Sequence, residues 1–380
     1  MLNKKRLLDT FLKLVKIDSE SFNEAKIHKV LVEELKKLGC TVYVDKAGKK
    51  FATNAEGNII ATLKGKHSAK PFLLSAHMDT VYPAIGVKPC VKKDRVTSDG
   101  TTILGADDKA GIAIILEILH VLKGLKGEHP SVQVIFTLCE EVCITGARYL
   151  DYTKIKGTDG LILDNESKEE LIVRGPGKYN FNVTVHGVSA HAGVCPEKGI
   201  SALEVFAKAL SLMKHGRVDE ETVCNFGVIS GGKTTNAVLA ELKVRGEVRS
   251  LNGKKLEKQI RHMKQCCAEA EKAFVKKVDG KTLRPKIEIE AERCYSAQHI
   301  SKTSPSVRLV MEAALKHGIN LKPTVCGGGC DANIMIEHGL ALPNIGVGVE
   351  KCHSLDEYLI LEDFYKMAQV VLDTVLSYRG

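Results

Sequence analysis

The sequence predicts an α/β domain interrupted by a smaller antiparallel α+β domain. Three observations predict it. Apolar strands alternate with amphipathic helices up to about residue 164. From about residue 178 polar and apolar residues alternate instead, as in Tyr179-Asn180-Phe181-Asn182-Val183-Thr184-Val185, the mark of a half-exposed antiparallel strand. After about residue 304 the first pattern returns. The expected boundaries are 1–176 and 292–380 for a discontinuous first domain and 177–291 for the insert.

Each element follows from local pattern. Residues 7–16 carry apolar side chains at helical spacing and Ser19-Glu20-Ser21 breaks the run; a second helix, 23–38, stops at Gly39. Strands are expected over 41–44, 58–63 and 72–77. Residues 83–98 read as a loop or hairpin. The segment 112–122 is apolar almost all round, which marks a helix buried on several faces. A buried strand over 132–138 ends in Cys139-Glu140-Glu141, a short helix follows over 146–150, and a strand over 161–163 ends in Asp164. The insert reads strand 179–187, loop 189–199, helix 200–214, strands 222–229 and 237–249, helix 252–277 and strand 286–290. That β-α-β-β-α-β order is the ferredoxin-like one. A helix over 304–317, with Pro305 suited to its first turn, a strand over 322–325, the turn Gly327-Gly328-Gly329, an apolar run 345–349 and a last helix 362–376 complete the chain.

Composition narrows the function classes. The chain has 380 residues, 44% hydrophobic and 27% charged, with a formal net charge of +9. Basic residues are scattered, so the excess reads as a solvated exterior. Trp is absent and aromatics make up only 5%, which argues against base-stacking platforms and a nucleic-acid partner. No apolar run reaches membrane length, so no membrane partner is expected. The twelve Cys form no short-spaced metal ribbon, and Met1-Leu2-Asn3-Lys4-Lys5 leads straight into an amphipathic pattern. A reducing cytoplasm with unpaired thiols is the expectation.

The chemistry lies in His77, Asp79, Asp107, Asp108, Glu140, Glu141, Asp164 and His353, most of them just past apolar strands. Open α/β sheets place their sites there. Singly, each has an ordinary structural reading: a buried histidine, a helix N-cap, a solvated strand end, a turn start, a loop residue. Jointly, so many carboxylates at one sheet edge repel unless cations neutralise them. Imidazole with carboxylate and no thiolate suits a hydrolytic zinc, cobalt or manganese centre.

His77-Met78-Asp79-Thr80-Val81, Gly105-Ala106-Asp107-Asp108-Lys109-Ala110-Gly111, Glu140-Glu141, Asp164, Gly187-Val188-Ser189-Ala190-His191-Ala192-Gly193 and Cys352-His353-Ser354 occur in this order. Together they resemble the zinc metallopeptidase family of peptidase T, carboxypeptidase G and aminoacylase, nearest its peptidase T-like branch. The resemblance implies a zinc-exopeptidase-like catalytic domain, with a mixed, mostly parallel sheet between helices, and an insert that pairs subunits or covers the site. We expect a homodimer through the insert. It implies two divalent ions, zinc or else cobalt or manganese. Asp107 would bridge them across a cis Asp107–Asp108 peptide, with His77 and Asp164 on one ion and Glu141 and His353 on the other. Asp79 would orient His77, Glu140 would act as general base, and His191 would donate to the oxyanion. Asn236 and Arg249 sit where the family often binds substrate. One departure stands out: Asn333 occupies the place of an Arg that holds a substrate carboxylate in the tripeptidase branch.

The expected activity is amide hydrolysis by two metals, as a peptidase T-like aminopeptidase or tripeptidase on small peptides. The rival within the same chemistry is an N-acyl amino-acid deacylase. Outside it stand a catalytically silent scaffold and a nucleic-acid-binding protein. Glu140 and every expected ligand are intact, which argues against the scaffold.

Overall fold

The strand Phe72–His77 is buried at every residue and lies inside a nine-stranded mixed sheet. The computed structural model describes residues 1–380. They form two compact units, Met1–Gly175 with Gln298–Gly380, and Pro176–Ala297.

In the first unit the strands Val132–Thr137, Phe72–His77, Gly160–Asn165 and Asn344–Gly346 run parallel side by side. Their C-terminal ends therefore share one edge, and that edge carries Glu140, His77 and Asp164. Outside this group the order continues with Ile59–Leu63 and Thr41–Val44 on one side and Glu170–Gly175 and Gln298–His299 on the other, all antiparallel to their inner neighbours. Lys322–Val325 adds a parallel partner to Glu170–Gly175. The sheet is thus evenly mixed rather than mostly parallel: the middle is parallel and the flanks are not.

Period-two alternation builds two cores. Phe72, Leu74, Ala76, Val134 and Phe136 face a cluster shared with the helices Lys4–Val15, Ala25–Lys37, Ala106–Gly124, Pro305–Lys316 and Leu361–Ser377. Leu73, Ile135 and Ile162 face the other way, onto Leu150, Met335, Leu340 and Leu342. The apolar helix begins earlier than its hydrophobic run, at Ala106, and Asp107 and Asp108 within it have non-helical backbone angles. Short elements not expected from the sequence include the strands Glu170–Gly175, Gln298–His299 and Tyr358–Ile360 and the helix Ala332–Met335. Arg6 pins the first helix by donating from Nε and Nη2 to the buried Glu117 at 2.6 and 2.7 Å.

The second unit is a five-stranded antiparallel sheet in the order Gly216–Arg217, Thr222–Gly231, Glu241–Ser250, Gly177–His186, Lys286–Tyr295. The helices Ala202–Leu212 and Gly253–Ala273 pack on it, the second through Met263, over Phe181, Val183, Val185 and Val244. This is the expected β-α-β-β-α-β order, with three differences. The short edge strand Gly216–Arg217 is added. The second helix stops at Ala273, where a hairpin of Lys276–Val278 and Lys281–Leu283 takes over. The last strand runs on to Tyr295 through a register shift after Arg293.

No disulfide joins any of the twelve cysteines. No helix is long and apolar enough to cross a membrane.

Candidate metal centre

His77 closes its strand and is 2% exposed. Its Nδ1 lies 2.9 Å from the Asp79 carbonyl oxygen and 3.4 Å from Asp79 Oδ1. That acceptor fixes Nε2 to point the other way, at Asp107 Oδ1 (2.9 Å) and Asp164 Oδ1 (3.6 Å). Asp79 does more than face the ring. Its fully buried carboxylate accepts from Ser21 Oγ (2.7 Å), from the Glu140 N–H (2.9 Å) and from the Glu141 N–H (3.3 Å). One side chain thereby sets both the His77 turn and the turn that presents the paired glutamates.

Asp107 sits beyond a cis peptide to Asp108. Its Oδ2 lies 3.3 Å from His353 Nε2, and that same nitrogen is 2.8 Å from Glu141 Oε1. Two imidazole nitrogens thus converge on the two oxygens of Asp107, with Asp164 beside one and Glu141 beside the other. Ligand atoms of His77, Asp107 and Glu141 lie within 4.8 Å of one another, as do those of His77, Asp108 and Asp164. The Asp108 carboxylate is already engaged, by the Gly111 N–H at 3.1 Å and the His77 N–H at 3.3 Å. Asn344 fixes Asp164, accepting its N–H at 2.9 Å and donating to its carbonyl at 2.6 Å. Glu140 and Glu141 line the same cavity, of about 400 Å³.

The electrostatics say what this arrangement lacks. A neutral imidazole nitrogen and a carboxylate oxygen at such distances present lone pair to lone pair, so something positive must lie between them. Protons or cations can fill the role. Burial works against a charged His77, yet hydrogen bonds to Asp107, Asp164 and Asp79 hold its pKa well above the ordinary value. Hydrogen bonds to Asp107 and Glu141 push His353 up to about 10. Burial, then the charge of Asp107, pushes Asp164 up to about 8. Burial, then the charge of Asp164, raises Glu140 as well. Divalent cations would replace these protons, and an imidazole–carboxylate donor set suits them, so the residues present fit the metal reading.

Two residues that the sequence reading passed over belong to this region. Asp331 is 2% exposed and accepts from Thr137 Oγ1 at 2.6 Å, while its Oδ1 has no protein partner. Glu24 is fully buried and accepts from the Cys139 N–H at 2.9 Å and Thr53 Oγ1 at 2.8 Å, fastening the turn just before Glu140. Asn333 is wholly buried, and its Oδ1 accepts the Cys330 N–H at 3.0 Å, closing a local turn; it is not among the cavity-lining residues.

His191, Asn236 and Arg249 belong to the second unit. His191 bridges to Ala237, and its Nδ1 accepts the Gly193 N–H at 3.2 Å. Asn236 lies beside it, its carbonyl accepting the Ala192 N–H at 2.9 Å. Arg249 lies near the far end of the strand Glu241–Ser250, paired with Glu247 at 2.8 Å. The structure brings His191 and Asn236 together, but not Arg249.

A profile of "Peptidase family M20/M25/M40" matches residues 73–377. The uncharacterized protein YqjE of Bacillus subtilis (strain 168) is 40% identical over 373 residues, covering 98% of either chain. Among solved structures, a tripeptidase from Staphylococcus aureus subsp. aureus Mu50 superposes with a TM-score of 0.92 at 35% identity, covering 99% of this chain and 98% of that one. The aminopeptidase PepT from Bacillus cereus ATCC 10987 gives 0.90 at 36% identity, covering 98% of each.

Proposed function

The chain belongs to peptidase family M20/M25/M40, and from that membership we propose that it is a two-metal aminopeptidase acting on small peptides. The observation that carries the proposal is the convergence of His77 Nε2 and His353 Nε2 on opposite oxygens of Asp107, at 2.9 and 3.3 Å. Asp107 would be shared between two ions, with His77 and Asp164 holding one and Glu141 and His353 the other. When bound, divalent ions, zinc foremost, supply polarisation of the scissile carbonyl and acidification of water.

Everything else falls to the chain's own residues. Glu140 takes a proton from the attacking water and delivers it to the leaving amide nitrogen. Its place in the cavity wall beside Glu141 suits that exchange, within reach of a water held there. Asp79 supports Glu140 from behind through the backbone N–H. The donor role that the resemblance gives His191 matches its hydrogen bonding: with Nδ1 accepting from Gly193, the ring proton sits on Nε2.

The cavity favours a substrate with a free amino terminus. Its lining includes Asp107, Asp108, Glu140, Glu141, Asp164 and Glu166, and neither Lys nor Arg. A lining with no Lys or Arg offers a substrate carboxylate no partner beyond the ions it would hold, whereas its carboxylates can accept from an α-ammonium. Asn333, buried in its own turn, adds no cation where the tripeptidase branch has Arg.

The test is a panel of di- and tripeptides, N-blocked peptides and N-acetyl amino acids, assayed before and after chelation and with zinc, cobalt or manganese restored. Peptides with free amino termini should turn over, activity should vanish on chelation, and metal should restore it. Activity that survives verified metal removal, or is confined to N-acetyl amino acids, overturns the proposal.

A further inference from the structure

Gly105 stands at the N-cap of the helix Ala106–Gly124, where a side-chain oxygen would ordinarily satisfy the first N–H groups. Glycine has none to offer, and its φ of +67° is the left-handed conformation glycine tolerates. The missing acceptor comes from far away in sequence. Glu357, 1% exposed, places Oε2 2.7 Å from the Gly105 N–H, and Oε1 2.8 Å from that of Ala106 and 3.0 Å from that of Asp107. Three consecutive amides thus close on one carboxylate. Nearby, Lys109 is fully buried, its ammonium donating to the Ile17 carbonyl at 2.8 Å and attracted by the charge of Glu357.

Glu357 lies four residues after His353. The segment between them is tied down at both ends: the Glu357 N–H donates to Ser354 O at 3.1 Å, and the next residues, Tyr358–Ile360, pair with the strands Arg95–Thr97 and Val349–Glu350. The backbone that aims Asp107 is therefore clamped to the backbone that carries His353. His77 and His353 meet the Asp107 side chain, whereas Glu357 grips the main chain.

We propose that Glu357 is a positioning residue of the metal centre, a clamp that sets the separation of Asp107 and His353 and so the affinity for the second ion. The proposal rests on the two-metal reading above. Glu357 itself touches neither ion nor substrate; it acts through the amides of residues 105–107.

The test is a zinc titration by calorimetry into metal-free wild type, Glu357→Gln and Glu357→Asp, alongside thermal unfolding of each metal-free protein and steady-state kinetics on a cleaved peptide. Wild type should take up two ions. Glu357→Gln, which turns an amide NH2 against backbone N–H groups, should unfold within a few degrees of wild type yet bind the weaker ion about 10–100-fold less tightly, as loss of an outer-shell support does. Its kcat should fall while KM changes little. Glu357→Asp, which keeps the charge but shortens the reach, should lie between the two, and it carries the test should Glu357→Gln not fold. Two ions bound with wild-type affinity by a folded variant overturn the clamp and leave the two-metal reading standing. A wild type that binds no divalent ion overturns the two-metal reading itself.

Discussion

Glu140 and Glu141 are neighbours with different surroundings. Glu141 Oε1 lies 2.8 Å from His353 Nε2, whereas Glu140 lines the cavity and is held through its backbone, by Asp79 and by the Ile144 N–H. The turn after the strand Val132–Thr137 gives the two carboxylates different partners, so one can ligate while the other moves a proton. Glu140→Gln should therefore keep both ions and lose about 10²–10⁴-fold in kcat, the usual weight of a general base. Metal analysis beside kinetics checks this; near-normal turnover with both ions present would remove Glu140 from the role. At this scale the sequence was most legible where short motifs follow apolar strands. His77, Glu141 and Asp164 could be picked out because each ends or follows an apolar strand, and Asp107 and His353 through the motifs around them. Asp331, Glu24 and Glu357 could not. Each is a buried acid whose partners are distant in sequence: Glu357 is 250 residues from Asp107, and Glu24 is 115 from Cys139. No local pattern marks an acid as buried, and only Glu357's place four residues after His353 hinted at a tie to the site.

Elements were legible in proportion to their length and apolar content. The strand around Phe136 and the helix around Ile115 announce themselves by continuous hydrophobicity, because both faces are covered. The strand Glu170–Gly175 and the hairpin at 276–283 do not, since their polar residues read as loop and only pairing with neighbours makes them strands. The same logic predicts where the site is vulnerable. Phe136 is fully buried next to Thr137, whose hydroxyl holds Asp331. Phe136→Ala should cost about 3–5 kcal/mol through the cavity it leaves. It should also slacken the strand end that presents Glu140. Chemical denaturation checks the first; the second predicts a fall in kcat in the folded fraction at low temperature. A loss well below this range would mean the helices collapse onto the space.

At the scale of the whole molecule, every expected metal ligand lies in one unit and His191 in the other. The change from strand–helix alternation to alternating polarity made an insert legible. What the insert does was not, because half-exposed antiparallel strands look alike whether they cover a site or meet another subunit. The structure suggests how to separate the two units' contributions. Gly175 and Gln298 are cross-strand partners, so a short flexible linker can join them once residues 176–297 are removed. The insert has its own core around Phe181, Val244 and Met263, and Gly177 lies close against Ala297, so its ends also meet. The excised insert should unfold cooperatively by itself. The linked first unit should bind two zinc ions with wild-type affinity, since none of the ligand residues has been removed, yet lose most of its turnover if His191 donates to the oxyanion. Calorimetry and kinetics on the same preparation distinguish the outcomes. Metal binding lost with the insert would mean that the centre is not complete in the first unit. Turnover fully retained would strip His191 of any catalytic part and leave the insert a purely structural or assembly module.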